Sequence, residues 1–182
     1  MGIPFRVVPP EYEVDVKTDD PIEKVELKAL EKSRLVARQF TDGLVVGADT
    51  VVAIDGTILG KPRNEDEARN YLRILSGRVH KVITGVAIID ASSMREIVDH
   101  CVTRVKFRDL SDSEINYYVR SGEPYDKAGG YAIQGIASFF VDYIEGDFWN
   151  VVGFPIPLFY RILKEKFDID LLHYICPRFS LV

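Results

Sequence analysis

The stretch Leu44-Val45-Val46-Gly47-Ala48-Asp49-Thr50-Val51-Val52-Ala53-Ile54-Asp55-Gly56-Thr57-Ile58-Leu59 decides the fold class. Leu44 to Ala48 reads as an apolar strand that Val51-Val52-Ala53-Ile54 continues. Asp55-Gly56 then separates it from Thr57-Ile58-Leu59, and an Asp-Gly pair between β-rich runs is a strong signal for a two-residue hairpin. A strand that turns back so tightly, with helical periodicity on either side of it in the chain, points to an α/β fold.

Upstream, Asp20-Pro21-Ile22-Glu23 predicts a helix start: Asp20 can cap the free amides, Pro21 suits the first turn and Glu23 completes a capping box. Ile22, Val25, Ala29, Val36 and Phe40 share its apolar face, and Thr41-Asp42-Gly43 ends it. Further upstream, Phe5-Arg6-Val7-Val8 reads as a short strand stopped by Pro9-Pro10. Downstream, Asn64-Glu65-Asp66-Glu67 caps a second helix whose apolar face is Ala68, Tyr71, Leu72 and Leu75, and Ser76-Gly77 stops it. Val79–Ile89 and Glu96–Phe107 form a second pair of strands around Ala91-Ser92-Ser93. Ser111-Asp112-Ser113-Glu114 is another capping box, opening a helix through Val119 that Ser121-Gly122 closes. Strands are expected near Tyr131–Gln134 and Ser138–Ile144, followed by a helix from about Pro155 with Ile156, Phe159, Leu163 and Phe167 on one face. Hairpins and helical crossovers together predict a mixed sheet. Residues 168–182 read as a tail, and the chain as one domain.

The chain has 182 residues, 47% apolar and 28% charged, enough to bury a substantial core. Disorder, collagen and low-complexity classes are excluded. With 23 basic and 28 acidic residues the net charge is −5. That balance argues against a nucleic-acid or anionic-membrane binder, though a few lysines and a divalent metal can still hold a small polyanion. Cys101 and Cys176 have no metal-ligand spacing and read as reduced thiols. The longest uncharged run, Ala128–Val141, is too short to span a bilayer, and Met1–Arg6 has no basic segment followed by an apolar one. A soluble cytoplasmic protein is expected.

Three segments carry polar residues that packing alone would not choose. Asp49, in Gly47-Ala48-Asp49-Thr50 among four valines, is costly to bury unless paired, hydrogen-bonded or metal-bound; the plainer reading is a structural Asp at a turn. Leu59-Gly60-Lys61-Pro62 lacks the spacing and the Ser or Thr of a phosphate-binding P-loop, which leaves Lys61 as a point charge or an ordinary exposed lysine. In Asp126-Lys127-Ala128-Gly129-Gly130-Tyr131, paired glycines after a lysine make a loop whose amides can face an anion. Gln134, in the following Ile133-Gln134-Gly135, is either a solvent-facing strand residue or an amide that reads the edge of a base. His80, His100 and His173 show no ligand spacing, and no nucleophile motif is present.

Taken in order, Val46-Gly47-Ala48-Asp49-Thr50-Val51-Val52, Leu59-Gly60-Lys61-Pro62, Leu75-Ser76-Gly77-Arg78-Val79-His80 and Thr84-Gly85-Val86 resemble the Maf (septum-formation) family of nucleoside triphosphate pyrophosphatases. The resemblance continues through Gly122-Glu123-Pro124, Asp126–Tyr131, Ile133-Gln134-Gly135, Ile144-Glu145-Gly146-Asp147 and Asn150-Val151-Val152-Gly153, and covers about Ile3 to Leu163. It implies an elongated mixed sheet with flanking helices, two lobes around a central cleft, and often a homodimer. It also implies hydrolysis of a nucleoside triphosphate to monophosphate and pyrophosphate with a divalent cation, Mg2+ or Mn2+. Asp49 matches the catalytic acid of the family. Thr50 and Gln134 match positions associated with substrate choice, in the pattern of the branch acting on dTTP and UTP, modified forms included. Lys32, Lys61 and Lys127 match lysines facing the triphosphate. Asp49 and Glu13 are the expected metal ligands, Glu11 being the other match for that cleft glutamate. Family members carry a Ser-x-Ser-Pro-Arg-Arg loop upstream of Gly2-Ile3-Pro4-Phe5, and arginine forks are strong phosphate donors. The expectation is therefore a shortened version of the enzyme, with a non-catalytic nucleotide binder or regulatory protein as its rival.

Overall fold

The computed structural model describes residues 2–175. Its frame is a five-stranded sheet in the order β2-β1-β3-β4-β5. The strands are β1 (Leu44–Ile54), β2 (Thr57–Leu59), β3 (Val79–Asp90), β4 (Arg95–Phe107) and β5 (Val141–Glu145). The quoted stretch folds as expected, with Asp55 and Gly56 both at positive φ (48° and 77°) in the tight turn between β1 and β2. β3 and β4 make a long hairpin in register from Val79↔Lys106 to Asp90↔Arg95.

Every described pairing is antiparallel, which corrects the mixed sheet expected from the sequence. The reason lies in β2. It reverses the chain before the crossover helix α2 (Glu65–Leu75), so the chain enters β3 running against β1 instead of along it. Two expected strands do not form. Phe5–Val8 is irregular, with Phe5 and Val7 exposed, and the prolines beside it remove ladder donors. Tyr131–Gln134 is also irregular and leads into a 3-10 turn at Ile136–Phe140, so β5 begins only at Val141.

The helices follow their capping signals. α1 (Pro21–Ala37) starts where the Asp20 carboxylate accepts from the amides of Ile22 and Glu23 at 2.8 and 3.0 Å. The expected capping box is absent there, because Glu23 bonds the Thr18 hydroxyl and Thr18 takes the Asp20 amide instead. α1 also stops before Phe40, which instead stacks against the Arg6 guanidinium. Asn64 caps α2, and Ser111 with Glu114 forms the full box at α3 (Asp112–Arg120). α4 (Phe148–Val152), α5 (Ile156–Phe167) and α6 (Leu171–Ile175) complete the described chain. The expectation for Cys176 lies outside the described residues; Cys101 is a half-buried thiol whose pKa burial pushes up.

Side chains alternate between the two faces of the sheet. Val51, Ala53 and Ile83 pack under Val25 of α1. Val52, Ile54 and Val82 face the other way, into the large cluster with Leu72, Leu75, Phe107, Tyr118 and Tyr131. Farther along that second face, Val86 and Ile88 meet Leu158, Ile162 and Leu163 of α5 in a separate cluster. α4 is tied down by Asn150, fully buried, which donates to the Val82 carbonyl and the Thr103 hydroxyl at 3.0 Å each. No helix among the described residues is long and apolar enough to cross a membrane.

Candidate active site

α1 lies unusually close to the sheet because two glycines sit beneath it. A Cβ on Gly47 would come within 2.8 Å of the Ala29 carbonyl and overlap the Ser33 hydroxyl. A Cβ on Gly85 would overlap the backbone of Val25 and lie 2.7 Å from the Glu26 nitrogen. Ser33, 1% exposed, donates to the Ala29 carbonyl and to the Ala87 carbonyl of β3. Gly85 is also the cross-strand partner of Asp49. This close seat brings Lys32 of α1 onto Asp49, with Nζ 2.5 Å from Oδ1. The ion pair therefore answers the cost of placing an acid among valines. The Asp49 side chain keeps 13% of its exposure and Lys32 30%, so both remain open to a ligand.

Thr50 points to the opposite face from Asp49 and shares a 2.8 Å hydrogen bond with the fully buried Thr84. Both nevertheless line one cleft of about 580 Å3. They reach the same space because β2 covers β1 only at Val52–Ile54, and no other strand among the described residues lies along the outer edge of Leu44–Val51. The far walls of the cleft are Lys61, the loop from Glu123 to Gly135, and the end of α4 at Val151–Gly153.

That loop is held without a strand ladder. The Gly129 amide donates to the Gly60 carbonyl at 2.9 Å, which joins the Lys61 and Lys127 segments. Gly129 has φ 69°, and a Cβ there would meet Val52 at 2.6 Å, so the paired glycines serve close approach to the sheet. Lys127 pairs with Asp126 at 2.8 Å, and that bond holds the Asp126 carboxyl below its ordinary range. Tyr131 is buried beside Phe107, and its hydroxyl meets Nε2 of His80 at 2.8 Å. Burial pushes the His80 pKa down to about 4 and the Tyr131 pKa up. His80 is thus a neutral core residue that fixes the ring of Tyr131.

Among the proteins this chain is similar to, a dTTP/UTP pyrophosphatase of Alkaliphilus oremlandii is 47% identical over 94% of this chain and 90% of its own length. One of Bacillus cereus (strain G9842) is 47% identical over 94% and 89%. One of Thermococcus gammatolerans is 50% identical over 78% and 77%. The family model described as Maf-like protein matches residues 1–166. The chain belongs to the Maf family.

Against the residues that the Maf resemblance singles out, the cleft gathers Asp49, Thr50, Lys32, Lys61, Lys127 and Gln134 from four separate segments. Glu13 and Glu11 are exposed in the irregular stretch before α1 and do not line it. No group of three metal-ligating side chains occurs among the described residues. Of the cleft carboxylates, Glu123 is engaged by amides and a phenol and Asp126 by Lys127, and Asp49 suits a magnesium ion carried mainly by nucleotide phosphates, the usual way that ion meets a protein. Sequence reasoning passed over Glu123, Tyr118, Tyr131, Thr84 and His80 as site-building residues. His80, Thr84, Glu123 and Tyr131 stand in segments that carry the Maf resemblance, and Tyr118 carries no local signal.

Proposed function

We propose that this chain hydrolyses dTTP and UTP to the monophosphate and pyrophosphate. The observation that carries the reading is the cleft itself, where Asp49 with Lys32 stands across from Lys61, Lys127 and Gln134. Relatives of this chain that match it over nine-tenths of their length are named dTTP/UTP pyrophosphatase, which supports that substrate class.

Three lysines on the cleft walls suit a triphosphate. As the bond between the first two phosphates breaks, charge builds on the leaving pyrophosphate, and positioned cations stabilise it more than they stabilise the ground state. Lys32 has a second effect. A triphosphate that draws its ammonium away from Asp49 releases the carboxylate to orient a water and take its proton. Asp49 would also hold a divalent cation, Mg2+ or Mn2+, brought by the nucleotide; when bound, that ion neutralises phosphate charge. Gln134 offers an amide that donates and accepts side by side, matching the paired carbonyl and N–H of uracil and thymine.

Pyrophosphate release from dTTP, UTP, CTP, ATP and GTP, with magnesium or manganese, tests this. Release from dTTP and UTP that Asp49→Asn lowers on the order of 10^3-fold is expected. Release that Asp49→Asn leaves intact, or none from the native chain, would refute it and favour a nucleotide binder.

A further inference from the structure

Gln134 is exposed, and its amide has no protein partner among the described residues, so its reach depends on the backbone that carries it. That backbone is fixed from both sides by one acid and one phenol. Glu123 Oε2 accepts the Ile136 amide at 2.9 Å, and Oε1 accepts the Ala137 amide at 3.4 Å. The same Oε1 accepts the Tyr118 hydroxyl at 3.0 Å. Tyr118 is 1% exposed, and its oxygen accepts the Ala132 amide at 3.2 Å. Gly135 lies flat on the Glu123 carboxylate, where a Cβ would overlap both oxygens. Burial, then the bond to Glu123, push the Tyr118 pKa up, so the phenol stays a donor.

An ionised carboxylate suits this task because it accepts from three donors and brings none of its own. An amide in its place would set an N–H against another N–H or O–H. The acid therefore does for this loop what a neighbouring strand does elsewhere. It satisfies the amides that follow Gln134, and the phenol it holds satisfies the Ala132 amide before it.

We infer that Glu123, acting with Tyr118, is a positioning residue for nucleotide choice: it fixes the backbone of Ala132–Ala137 and thereby where the Gln134 amide meets the base. This deepens the dTTP/UTP reading of the cleft and rests on it. Directional hydrogen bonds lose much of their value when displaced by an ångström, so the cost of loosening Glu123 falls on the base that Gln134 reads.

The test is steady-state pyrophosphate release by the full chain with dTTP, UTP and CTP, comparing the native protein with E123A, E123Q, Y118F, Q134A and the double variant E123A/Q134A. Expected for E123A is a fall in kcat/KM for dTTP and UTP of about 10–100-fold, carried mostly by KM. CTP should change less than about threefold, with Y118F and E123Q following in the same direction and to a smaller extent. The double variant should be no worse than Q134A alone, since the two side chains act through one contact. An equal fall on all three nucleotides, or a preference for dTTP over CTP that survives in E123A, would overturn the inference. If E123A does not fold, Y118F decides by the same criteria. A native chain without any preference for dTTP and UTP over CTP would remove the dTTP/UTP reading and the inference together; a native preference that E123A keeps removes the inference alone.

Discussion

On the β1 side of the cleft, Asp49 is placed by regular structure. Its strand is in register with β3 from Leu44↔Asp90 to Ala53↔Lys81, and α1 rests on Gly47 and Gly85 so that Lys32 meets the acid. On the facing side, Lys127 and Gln134 stand on a chain that is neither long helix nor strand. Side chains hold it there: Glu123 and Tyr118 bond its amides, and His80 holds Tyr131. The first side is positioned by close approach of whole elements, the second by hydrogen bonds from individual side chains to backbone. An error on the first side should disturb the fold together with the site, whereas an error on the second should disturb the site alone.

The sharpest way to break that contrast is a pair of glycine substitutions. Gly85→Ala sets a methyl into the Val25 backbone, which cannot swing aside as a side chain can. It should cost about 3 kcal/mol or more in urea unfolding and abolish pyrophosphate release, because α1 must lift and carry Lys32 off Asp49. Gly135→Ala sets its methyl into the Glu123 carboxylate. It should cost well under half as much stability while lowering kcat/KM for dTTP at least as strongly as E123A. Equal losses of stability in the two variants would erase the distinction.

A smaller effect concerns His80. Its folded pKa, near 4, lies below the ordinary value of 6.5 because burial disfavours the charged ring. The unfolded chain therefore binds the proton first as pH falls, and stability should drop through the window from 6.5 to 4. Between pH 7 and pH 5 the expected loss is about 2 kcal/mol. His80→Gln, which keeps a partner for Tyr131, should flatten that slope in denaturant titrations at a series of pH values. An unchanged slope would place the acid sensitivity elsewhere.

The smallest effect sharpens the account of α1. Arg34 reaches Glu96 of β4 through two bonds of 2.6 Å, and those bonds lower the Glu96 pKa. Both side chains keep about a third of their exposure, so solvent screens the pair. Glu96→Gln should lower the unfolding free energy measured in urea by about 1 kcal/mol or less and leave turnover unchanged. A larger loss would mean that charge, not the glycine seat, holds the helix.

The same contrast explains what could be read from the sequence. Asp55-Gly56, Asn64 and the Ser111–Glu114 box announce themselves locally, because a turn or cap needs only residues a few positions apart. The β1 segment around Asp49 was legible for the same reason. Tyr131–Gln134 was not: its alternation suggests a strand, but its Ala132 amide goes to Tyr118 and the Ile136 amide just beyond it to Glu123, partners that no local pattern reveals. Phe5–Val8 misled in the same way, since its apolar residues meet no partner strand. The mixed sheet failed on a question of direction that a three-residue strand decided. Local chemistry reads well from a sequence, and the destination of a backbone amide reads poorly.

One feature of the cleft floor has an orientation as well as a place. Thr84 is sealed in the sheet, and among the described residues its hydroxyl has one side-chain partner, the oxygen of Thr50. A buried hydroxyl hydrogen with a single acceptor available is spent on that acceptor. The bond therefore runs from Thr84 to Thr50, and the hydrogen of Thr50 is left over on the open side. A neighbouring strand in this way sets the polarity of a group it never exposes, turning the Thr50 hydroxyl hydrogen toward the cleft. Thr84→Val would cancel that bias and let the same hydroxyl turn either way.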